Sequence, residues 1–410
     1  MLQKLIHKAS TDGEICHPLA PGLPCPVLQY ADDTLIFLKG DIAVVLNLRQ
    51  ILNAFSLATG LHINFHKSTF IPMNLKAAAA SEMANILGCD ISSFPQPYLG
   101  LHLSPHKLKV SDYQPLISSF DRYLAGWKSK LLSSGGRVIL VNVVLSGLPI
   151  HYMLAILLPK TMREMIDSRR RAFLWSGGEK CHGSQCLNAW DRVCLAKNTG
   201  GLGVRILEDQ NHCLLMKLVH KLLGPDTLPW KTWFQLHSPR DLWAGDPDSF
   251  LGHIVQEELP GFRRITSVLL GDGHSTSFWL DQWIGDHSLA VCFPALFSHC
   301  SRTLANVHDT LTAGLSSFLQ PRLSQQATNE LHILLDTVAT TQLLHSPDQR
   351  RLLCSGLPPF TSRGAYQLLH ADDVDLEGPK LIWSCRLPGK IKFFGWLLHF
   401  DRLNYRANLC

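Results

Sequence analysis

The sequence lacks the patterns that mark secreted and repetitive chains. Its first fifteen residues contain Lys4, His7, Lys8 and Asp12 and have no apolar core of the kind found in a signal peptide. No internal repeat or extended low-complexity tract stands out in its 410 residues. We therefore expect an intracellular protein, in the nucleus or the cytoplasm, that is not secreted.

The cysteines lack the spacing of a disulfide framework or of a structural zinc site. All 12 are scattered along the chain, so reduced thiols are expected. Two groups come nearest to a zinc site: Cys181-His182 with Cys186, and His299-Cys300 after Cys292. Neither group has C-x₂-C spacing, and small buried thiols are the simpler interpretation. Zinc is therefore not expected.

Strong charge and an uninterrupted membrane-length run are also missing. A net charge of +5 is compatible with nucleic acid but too small to argue for it. Residues 138–159 are apolar enough to suggest a membrane span, but Asn142, Pro149 and His151 interrupt them. The sequence Gly147-Leu148-Pro149 is typical of a break between two elements. The pattern favours buried helices and no membrane partner.

Two adjacent aspartates, Asp32 and Asp33, lie in the segment QYADDTLIF, residues 29–37. Apolar, β-prone residues flank them, which predicts a hairpin with the pair at its tip. Neighbouring carboxylates repel each other, and a divalent cation would remove that penalty. Mg²⁺ prefers hard oxygen ligands, and two such ions about 3.5–4 Å apart can catalyse phosphoryl transfer. An ordinary Asp-rich turn is the alternative.

The residues that follow predict an α+β unit. Asp41 can cap a helix that ends at Gly60. The segment LHINFHKSTF, residues 61–70, alternates apolar and polar residues as a half-buried strand does. A second helix over residues 75–87 and a strand over residues 97–104 complete the predicted unit.

The segments QYADDTLIF, GLHINFHKS and YLGLHLS, in that order, resemble the end of the palm of a reverse transcriptase. The closest type is that of plant non-LTR (LINE-type) retrotransposons. The resemblance implies that Asp32 binds Mg²⁺ with Asp33 beside it, and that Lys67 lies near the incoming nucleotide. It also implies a primer grip: Tyr98, Leu99 and Gly100. An RNA template and a DNA primer would be the partners, and no protein partner is evident.

The residues alone leave simpler alternatives open for these sites. Lys67 could be a solvated lysine at a strand end. Tyr98 could serve in core packing, with or without primer contact.

Three later segments extend the resemblance. Residues 190–207 and 271–286 are similar to segments of the same family, and residues 360–409 look like the start of its zinc-binding region. Physically these segments indicate packing. The glycines of residues 200–203 predict a turn before a strand, Asp272-Gly273 predicts a hairpin turn, and the aromatic residues predict buried faces. The residues predicted to be buried are Phe278, Trp279, Trp283, Trp383, Phe393, Phe394, Trp396 and Leu397. For Phe278, Trp279 and Trp283, stacking on nucleic acid is the alternative.

Basic residues concentrate in residues 122–171, where a thumb would follow the primer grip. The predicted phosphate contacts are Lys128, Lys130, Arg137, Arg163, Arg169, Arg170 and Arg171. The alternative is a solvated helix face, since Asp121, Glu164 and Asp167 dilute the positive charge.

The sequence predicts an α+β fold in four parts. Residues 1–105 form a partial palm, residues 106–178 a helical thumb, residues 179–345 a mixed, mainly helical connection, and residues 346–410 a truncated start of the zinc-binding region. In the family, the second metal-binding carboxylate and the nucleotide-positioning segment precede the aspartate hairpin, and only 29 residues precede Tyr30 here. We therefore expect a polymerase fragment that is inactive alone. The alternative is a non-catalytic remnant that at most binds nucleic acid.

Overall fold

The computed structural model describes residues 1–18, 27–126, 132–178, 180–226, 228, 230–232, 234 and 249–403. The chain divides into two compact units, Met1–Tyr113 and Gln114–Cys410. Helices dominate the described residues, together with four sheets of two strands each. The fold class is α+β, as the sequence predicts. The finer division into four parts stays a prediction.

The described residues of the first unit form three helices and six short strands. The helices are Leu2–Thr11, Ile42–Thr59 and Ala77–Leu87, with a 3₁₀ turn at Phe65–Lys67 and another at Val110–Tyr113. The strands are β1 (Val27–Tyr30), β2 (Asp33–Ile36), β3 (Thr69–Phe70), β4 (Asp90–Ile91), β5 (Gln96–Tyr98) and β6 (Leu101–Leu103).

The described helices of the second unit are Gln114–Gly126, Ser134–Leu140, Ile150–Met153, Lys160–Trp175, Trp190–Cys194, Leu207–Leu223, Phe250–Arg264, Leu289–Cys292, Pro294–Ser298, Val307–Ala313, Gln325–Val338, Ser362–Leu369, Glu377–Ser384 and Gly389–His399. A π-helical turn covers Val141–Leu145, and 3₁₀ turns cover Gly183–Gln185, Lys197–Thr199 and Leu315–Phe318. The strands are β7 (Thr266–Leu269) and β8 (Gln349–Leu352).

The helix after the aspartate hairpin has the predicted ends. The Asp41 carboxylate accepts a hydrogen bond of 2.9 Å from the backbone nitrogen of Ala43. Gly60 ends the helix with φ +74°, a conformation that glycine adopts without steric cost. Val44, Val45, Leu48 and Leu52 are buried in the core of the first unit, packed with Ile6 and Met83 among others.

Helix Ile42–Thr59 is also, among the described residues, long and apolar enough to cross a membrane by length and composition alone. Core helices pass the same test, so it is weak evidence for a span.

The predicted break in residues 138–159 is confirmed, because this run divides into a π-helical turn and a short helix that begins at Ile150.

The predicted strand over residues 61–70 is wrong for most of its length. Asn64 accepts a hydrogen bond of 3.1 Å from the backbone nitrogen of Lys67, and this local contact favours a 3₁₀ turn over an extended chain. Only Thr69 and Phe70 form a strand, which pairs in parallel with β4. The predicted strand over residues 97–104 is instead an antiparallel hairpin of β5 and β6.

The spacing of Tyr113, Leu116, Ile117, Phe120 and Leu124 predicts a helix with one apolar face after the palm, and that face is confirmed. Leu116, Ile117, Phe120 and Leu124 are buried in the second unit. The predicted strand after Gly203 is wrong, because helix Leu207–Leu223 begins there.

Most of the aromatic predictions for the second unit are confirmed. Phe278, Trp279 and Trp283 are buried in one cluster, and Phe393, Trp396 and Leu397 form the buried face of their helix. The prediction for Phe394 is wrong, since it is 54% exposed on the opposite face of that helix. Trp383 is only half-buried.

The predicted hairpin over residues 271–286 is wrong. Strand β7 pairs instead with the distant β8, with Thr266 opposite Leu352. The turn at Gly273 exists, with φ +74°, but the chain after it enters a loop that a buried carboxylate organises.

Asp281 is that carboxylate, and it is 1% exposed. Its oxygens accept hydrogen bonds of 3.0 Å from Arg263 Nε and of 3.1 and 2.8 Å from the two terminal nitrogens of Arg350. The backbone nitrogen of Ser277 donates a fourth, at 2.7 Å. Burial opposes ionisation, but the two guanidinium groups outweigh it and hold the pKa of Asp281 below its ordinary value.

We predict that Asp281→Asn lowers the free energy of unfolding by about 3–5 kcal/mol, because two buried arginines lose their counter-charge. Urea unfolding of the variant against the parent measures this, with Asp286→Asn, an exposed position in the same segment, as the control. The folded pKa is depressed, so the stabilisation is complete above the unfolded value of about 3.9 and disappears as pH falls through the folded value. Equal stability of parent and variant at pH 7 would contradict the assignment.

Candidate catalytic hairpin and basic helices

The aspartate pair lies at the tip of the predicted hairpin. Strands β1 and β2 are antiparallel, with Val27 opposite Ile36 and Tyr30 opposite Asp33. The loop therefore consists of Ala31 and Asp32, while Asp33 is the first residue of β2. Val27 is buried in the core of the first unit and anchors the base of the hairpin.

The tip of this hairpin is open to solvent. Asp32 and Asp33 are both exposed, and Tyr30 is 67% exposed beside them. The loop has an unusual backbone, because Ala31 adopts φ +53°. A positive φ in the first loop residue is what the common two-residue hairpin loops require. Both aspartates are therefore accessible from solvent.

The described residues supply no third ligand group beside this pair. The one cluster of three His, Cys, Asp or Glu ligand atoms among them is His274 with His308 and Asp309. That cluster belongs to the second unit. The hairpin sheet likewise has two strands in the described part of the chain.

Lys67 is exposed at the end of its 3₁₀ turn. The turn, rather than the expected strand, presents this lysine, since Asn64 accepts the hydrogen bond that shapes it. Its predicted role near a nucleotide stays a prediction.

The predicted primer-grip residues form a hairpin turn. Tyr98 is the last residue of β5 and lies opposite Leu101, so Leu99 and Gly100 are the two loop residues. Their φ angles are +49° and +79°, and positive φ in both is the requirement of a type I′ turn. Glycine meets it at no steric cost. Tyr98 is half-buried, which is compatible with packing and with contact to a primer.

The predicted phosphate contacts differ sharply in their surroundings. Lys128 and Lys130 lie outside the described residues. Arg137 is half-buried and donates a hydrogen bond of 3.4 Å to the carbonyl of Trp175. Arg171 is half-buried with its guanidinium 5.8 Å from the ring centre of Trp190.

Two of the arginines are engaged with carboxylates. Arg163 contacts Glu208 at 2.6 Å and Arg169 contacts Asp121 at 2.7 Å. Their side chains are 14% and 23% exposed. These pairs already neutralise part of the charge that a phosphate would use.

Arg170 must be removed from the predicted contacts. Its side chain is fully buried and donates to Asp167 at 2.6 Å, to the Ser146 hydroxyl at 3.0 Å and to the carbonyl of Arg205 at 2.8 Å. An arginine held inside the fold by three acceptors has no surface left for a phosphate. Helical spacing alone gave no sign that this position of the basic run faces inward.

Cys181 and Cys186 form a close thiol pair. Their Sγ atoms are 3.6 Å apart and both residues are half-buried. Burial and the neighbouring thiol of Cys186 raise the pKa of Cys181 to about 11. In the described part of the chain, no third ligand group joins them in a metal-sized cluster.

Sequence reasoning missed the cluster of His274, His308 and Asp309. His274 stands in the segment of residues 271–286, but His308 and Asp309 are more than 30 residues further on. No spacing motif joins them. Only the pairing of β7 with β8 and the loop around Asp348 bring them together.

Two plant proteins are similar to this chain, although no protein-family model matches it. The first, named "Putative ribonuclease H protein", from Arabidopsis thaliana, is 29% identical over 306 residues, which are 71% of this chain and 48% of the relative. The chain thus spans about half the length of that relative. The second, named "Uncharacterized mitochondrial protein", from the same plant, is 28% identical over 150 residues, 35% of this chain and 96% of the relative. These similarities are consistent with a retrotransposon-related chain.

We predict that Ala31→Gly raises the free energy of unfolding of the first unit by about 0.5–1 kcal/mol, because a left-handed φ costs an L-residue about 1–2 kcal/mol and glycine avoids most of it. Guanidinium unfolding measures the change. The matched control is Ala54→Gly, an exposed position inside helix Ile42–Thr59, where the same substitution should cost about 1 kcal/mol. Loss of stability at both positions would show that Ala31 is not strained.

Proposed function

We propose that the chain carries the metal-binding hairpin of a retrotransposon RNA-directed DNA polymerase and that it does not polymerise by itself. The observation that carries the proposal is the tip of the hairpin, where the loop residue Asp32 and the strand residue Asp33 expose adjacent carboxylates. A purely structural turn gains little from two neighbouring negative charges, since they repel.

The donor set fits Mg²⁺. Asp32 and Asp33 offer hard carboxylate oxygens at an exposed tip, and Mg²⁺ is commonly held by one or two carboxylates with substrate phosphates. When bound, Mg²⁺ supplies the charge that activates a primer 3′-hydroxyl and stabilises the leaving oxygen. Asp32 would hold the ion and Asp33 would assist it. Lys67, exposed on its 3₁₀ turn, would donate a proton to the departing pyrophosphate.

The hairpin of β5 and β6 supports the same proposed function. The turn of Leu99 and Gly100 closes a two-stranded hairpin whose Tyr98 is half-buried. In the proposed function, this turn contacts the primer backbone near its 3′ end. The order of the two hairpins along the chain is that of the polymerase palm.

The proposed lack of activity follows from the requirements of two-metal chemistry. The two ions lie about 3.5–4 Å apart, and in the resembled polymerase family carboxylates from more than one strand hold them. In the described residues, the hairpin sheet has two strands, and Leu28 at 50% exposure and Tyr30 at 67% remain on its surface. In a palm with more strands, those strands would cover these side chains and supply a further carboxylate beside the pair.

We predict no Mg²⁺-dependent primer extension by this chain on a poly-rA template with an oligo-dT primer. Incorporation of labelled nucleotide measures it, with Asp32→Ala as the variant and Asp12→Ala, an exposed aspartate of the same unit, as the control. Incorporation that Asp32→Ala abolishes and Asp12→Ala leaves intact would overturn the proposed inactivity. Incorporation that survives Asp32→Ala would overturn the role of the hairpin.

A non-catalytic, nucleic-acid-binding role is the second candidate, and the environment of Arg171 favours it. Its guanidinium lies near Trp190 without a carboxylate partner among the ion pairs of the described residues. Arg137 likewise contacts a carbonyl rather than an acid. Among the ion pairs of the described residues, neither guanidinium has a carboxylate that would compete with a phosphate.

For this role, we predict that filter binding of a primer–template weakens as salt rises, with a slope of about 0.9 for each phosphate contact in duplex DNA. Arg171→Ala should reduce both the affinity and the slope, because it removes one contact. Lys4→Ala removes the same charge from an exposed position of the first unit and should change neither. An affinity that does not respond to salt would exclude phosphate contact.

A further inference from the structure

Three side chains with metal-ligand atoms meet in the second unit, away from the aspartate hairpin. His274 lies in the loop after β7, while His308 and Asp309 lie in the first turn of helix Val307–Ala313. Their potential ligand atoms all lie within 4.8 Å of one another. His274 and Asp309 are exposed and His308 is half-buried, so the cluster is open on one side.

The loop that carries His274 is fixed by a buried carboxylate. Asp348, 4% exposed, accepts hydrogen bonds from the backbone nitrogens of Gly271 and Gly273 at 2.8 and 3.0 Å. It also accepts from the Ser275 and Thr276 hydroxyls at 3.0 and 2.7 Å. The backbone nitrogen of Ser275 donates as well, at 3.1 Å. Five donors from one short loop on one carboxylate leave the loop little freedom. The backbone position of His274 is therefore set before any ligand arrives.

The same loop holds His308. The backbone nitrogen of His308 donates to the carbonyl of Gly273 at 3.1 Å. A β-carbon at position 273 would lie 2.9 Å from that nitrogen, so this close approach depends on glycine. Loop and helix are thus joined through their backbones beside the cluster.

The ring of His308 is oriented as metal-bound histidines are. Its Nδ1 lies 3.1 Å from the carbonyl oxygen of Asp272. A carbonyl only accepts, so this contact places the proton on Nδ1 and leaves the lone pair of Nε2 for a ligand. Histidines that bind metals usually donate their other ring nitrogen in this way.

His274 and Asp309 complete the donor set. The two imidazole rings stack with their centres 3.9 Å apart and an angle of 29° between them. A hydrogen bond of 2.6 Å from the backbone nitrogen of Asp309 to the side-chain oxygen of Asn306 fixes the backbone at Asp309. Two imidazole nitrogens and one carboxylate oxygen suit Zn²⁺ and its transition-metal neighbours, whereas Mg²⁺ and Ca²⁺ prefer all-oxygen sites.

We propose that His274, His308 and Asp309 bind one divalent transition metal, with Zn²⁺ the best match to the donors. Three protein ligands leave a fourth tetrahedral position for water or for a group from outside the chain. The bound ion would tie the loop after β7 to helix Val307–Ala313. This inference is independent of the proposed polymerase function, because none of the three residues belongs to the unit that contains Asp32.

The test measures metal binding to the full chain in two ways. Equilibrium dialysis measures the binding of Zn²⁺, and visible absorption measures the binding of Co²⁺. We expect one equivalent of Co²⁺ with the intense visible bands of a four-coordinate ion and without thiolate charge transfer. His308→Ala should weaken binding at least 10- to 100-fold. That is the loss seen when a group that only supports a metal ligand is removed, and removal of a ligand should cost no less. His274→Ala and Asp309→Asn change exposed positions and should bind poorly while remaining folded by circular dichroism.

Two controls separate this site from other ligands of the chain. His332→Ala removes an exposed histidine from helix Gln325–Val338 and should leave binding unchanged. Cys181→Ser removes one of the paired thiols and should also leave the single equivalent in place. Binding that persists in both His274→Ala and His308→Ala, binding lost with Cys181→Ser, or no binding at 1 mM Zn²⁺ would each overturn the proposal.

Discussion

The second unit is organised around a buried cluster of three charges, in which the Asp281 carboxylate forms ion pairs with both Arg263 and Arg350. This contact connects a helix, the loop after β7 and strand β8, which are far apart in the sequence. Asp348, two residues before Arg350, also connects distant segments, because it accepts hydrogen bonds from the backbone nitrogens of Gly271 and Gly273. The segment GDGHSTSFWLDQW is thereby explained: its glycines allow close backbone approach, its second aspartate, Asp281, is the counter-charge, and its aromatic residues fill the adjoining core.

The first unit is organised on a smaller scale, around helix Ile42–Thr59 and two tight hairpins. Its core is formed largely by that helix and its neighbours, whereas the hairpins project short loops. Both loops adopt positive φ at residues that are not glycine, Ala31 and Leu99. Backbone strain of this kind costs about 1–3 kcal/mol at each position and is often found where function requires it. The exposed carboxylates of Asp32 and Asp33, rather than this backbone conformation, distinguish the aspartate hairpin from the turn at Leu99.

The sequence predicted the features that depend on neighbouring residues. The Asp41 cap, the Gly60 terminus, the tip of the aspartate hairpin and the apolar face around Phe120 all follow from local chemistry. It failed where distant residues decide. The pairing of β7 with β8 replaced the hairpin expected over residues 271–286, and the burial of Arg170 depends on acceptors contributed by Ser146 and Arg205. The 3₁₀ turn at Lys67 lies between these cases. Asn64, which caps the turn, stands in the sequence, but the alternation of apolar and polar residues around it predicted a strand instead.

The claim at the centre of this account is that Asp32 and Asp33 form a cation site on the first unit. The most direct measurement is nuclear magnetic resonance of the isotopically labelled chain during titration with Mn²⁺, which substitutes for Mg²⁺ and broadens the signals of nearby nuclei. The account predicts that the amide signals of Ala31, Asp32 and Asp33 broaden first, that Mg²⁺ competes for the site, and that Asp32→Ala abolishes the effect. Broadening that begins elsewhere, or that is unchanged in Asp32→Ala, would contradict it.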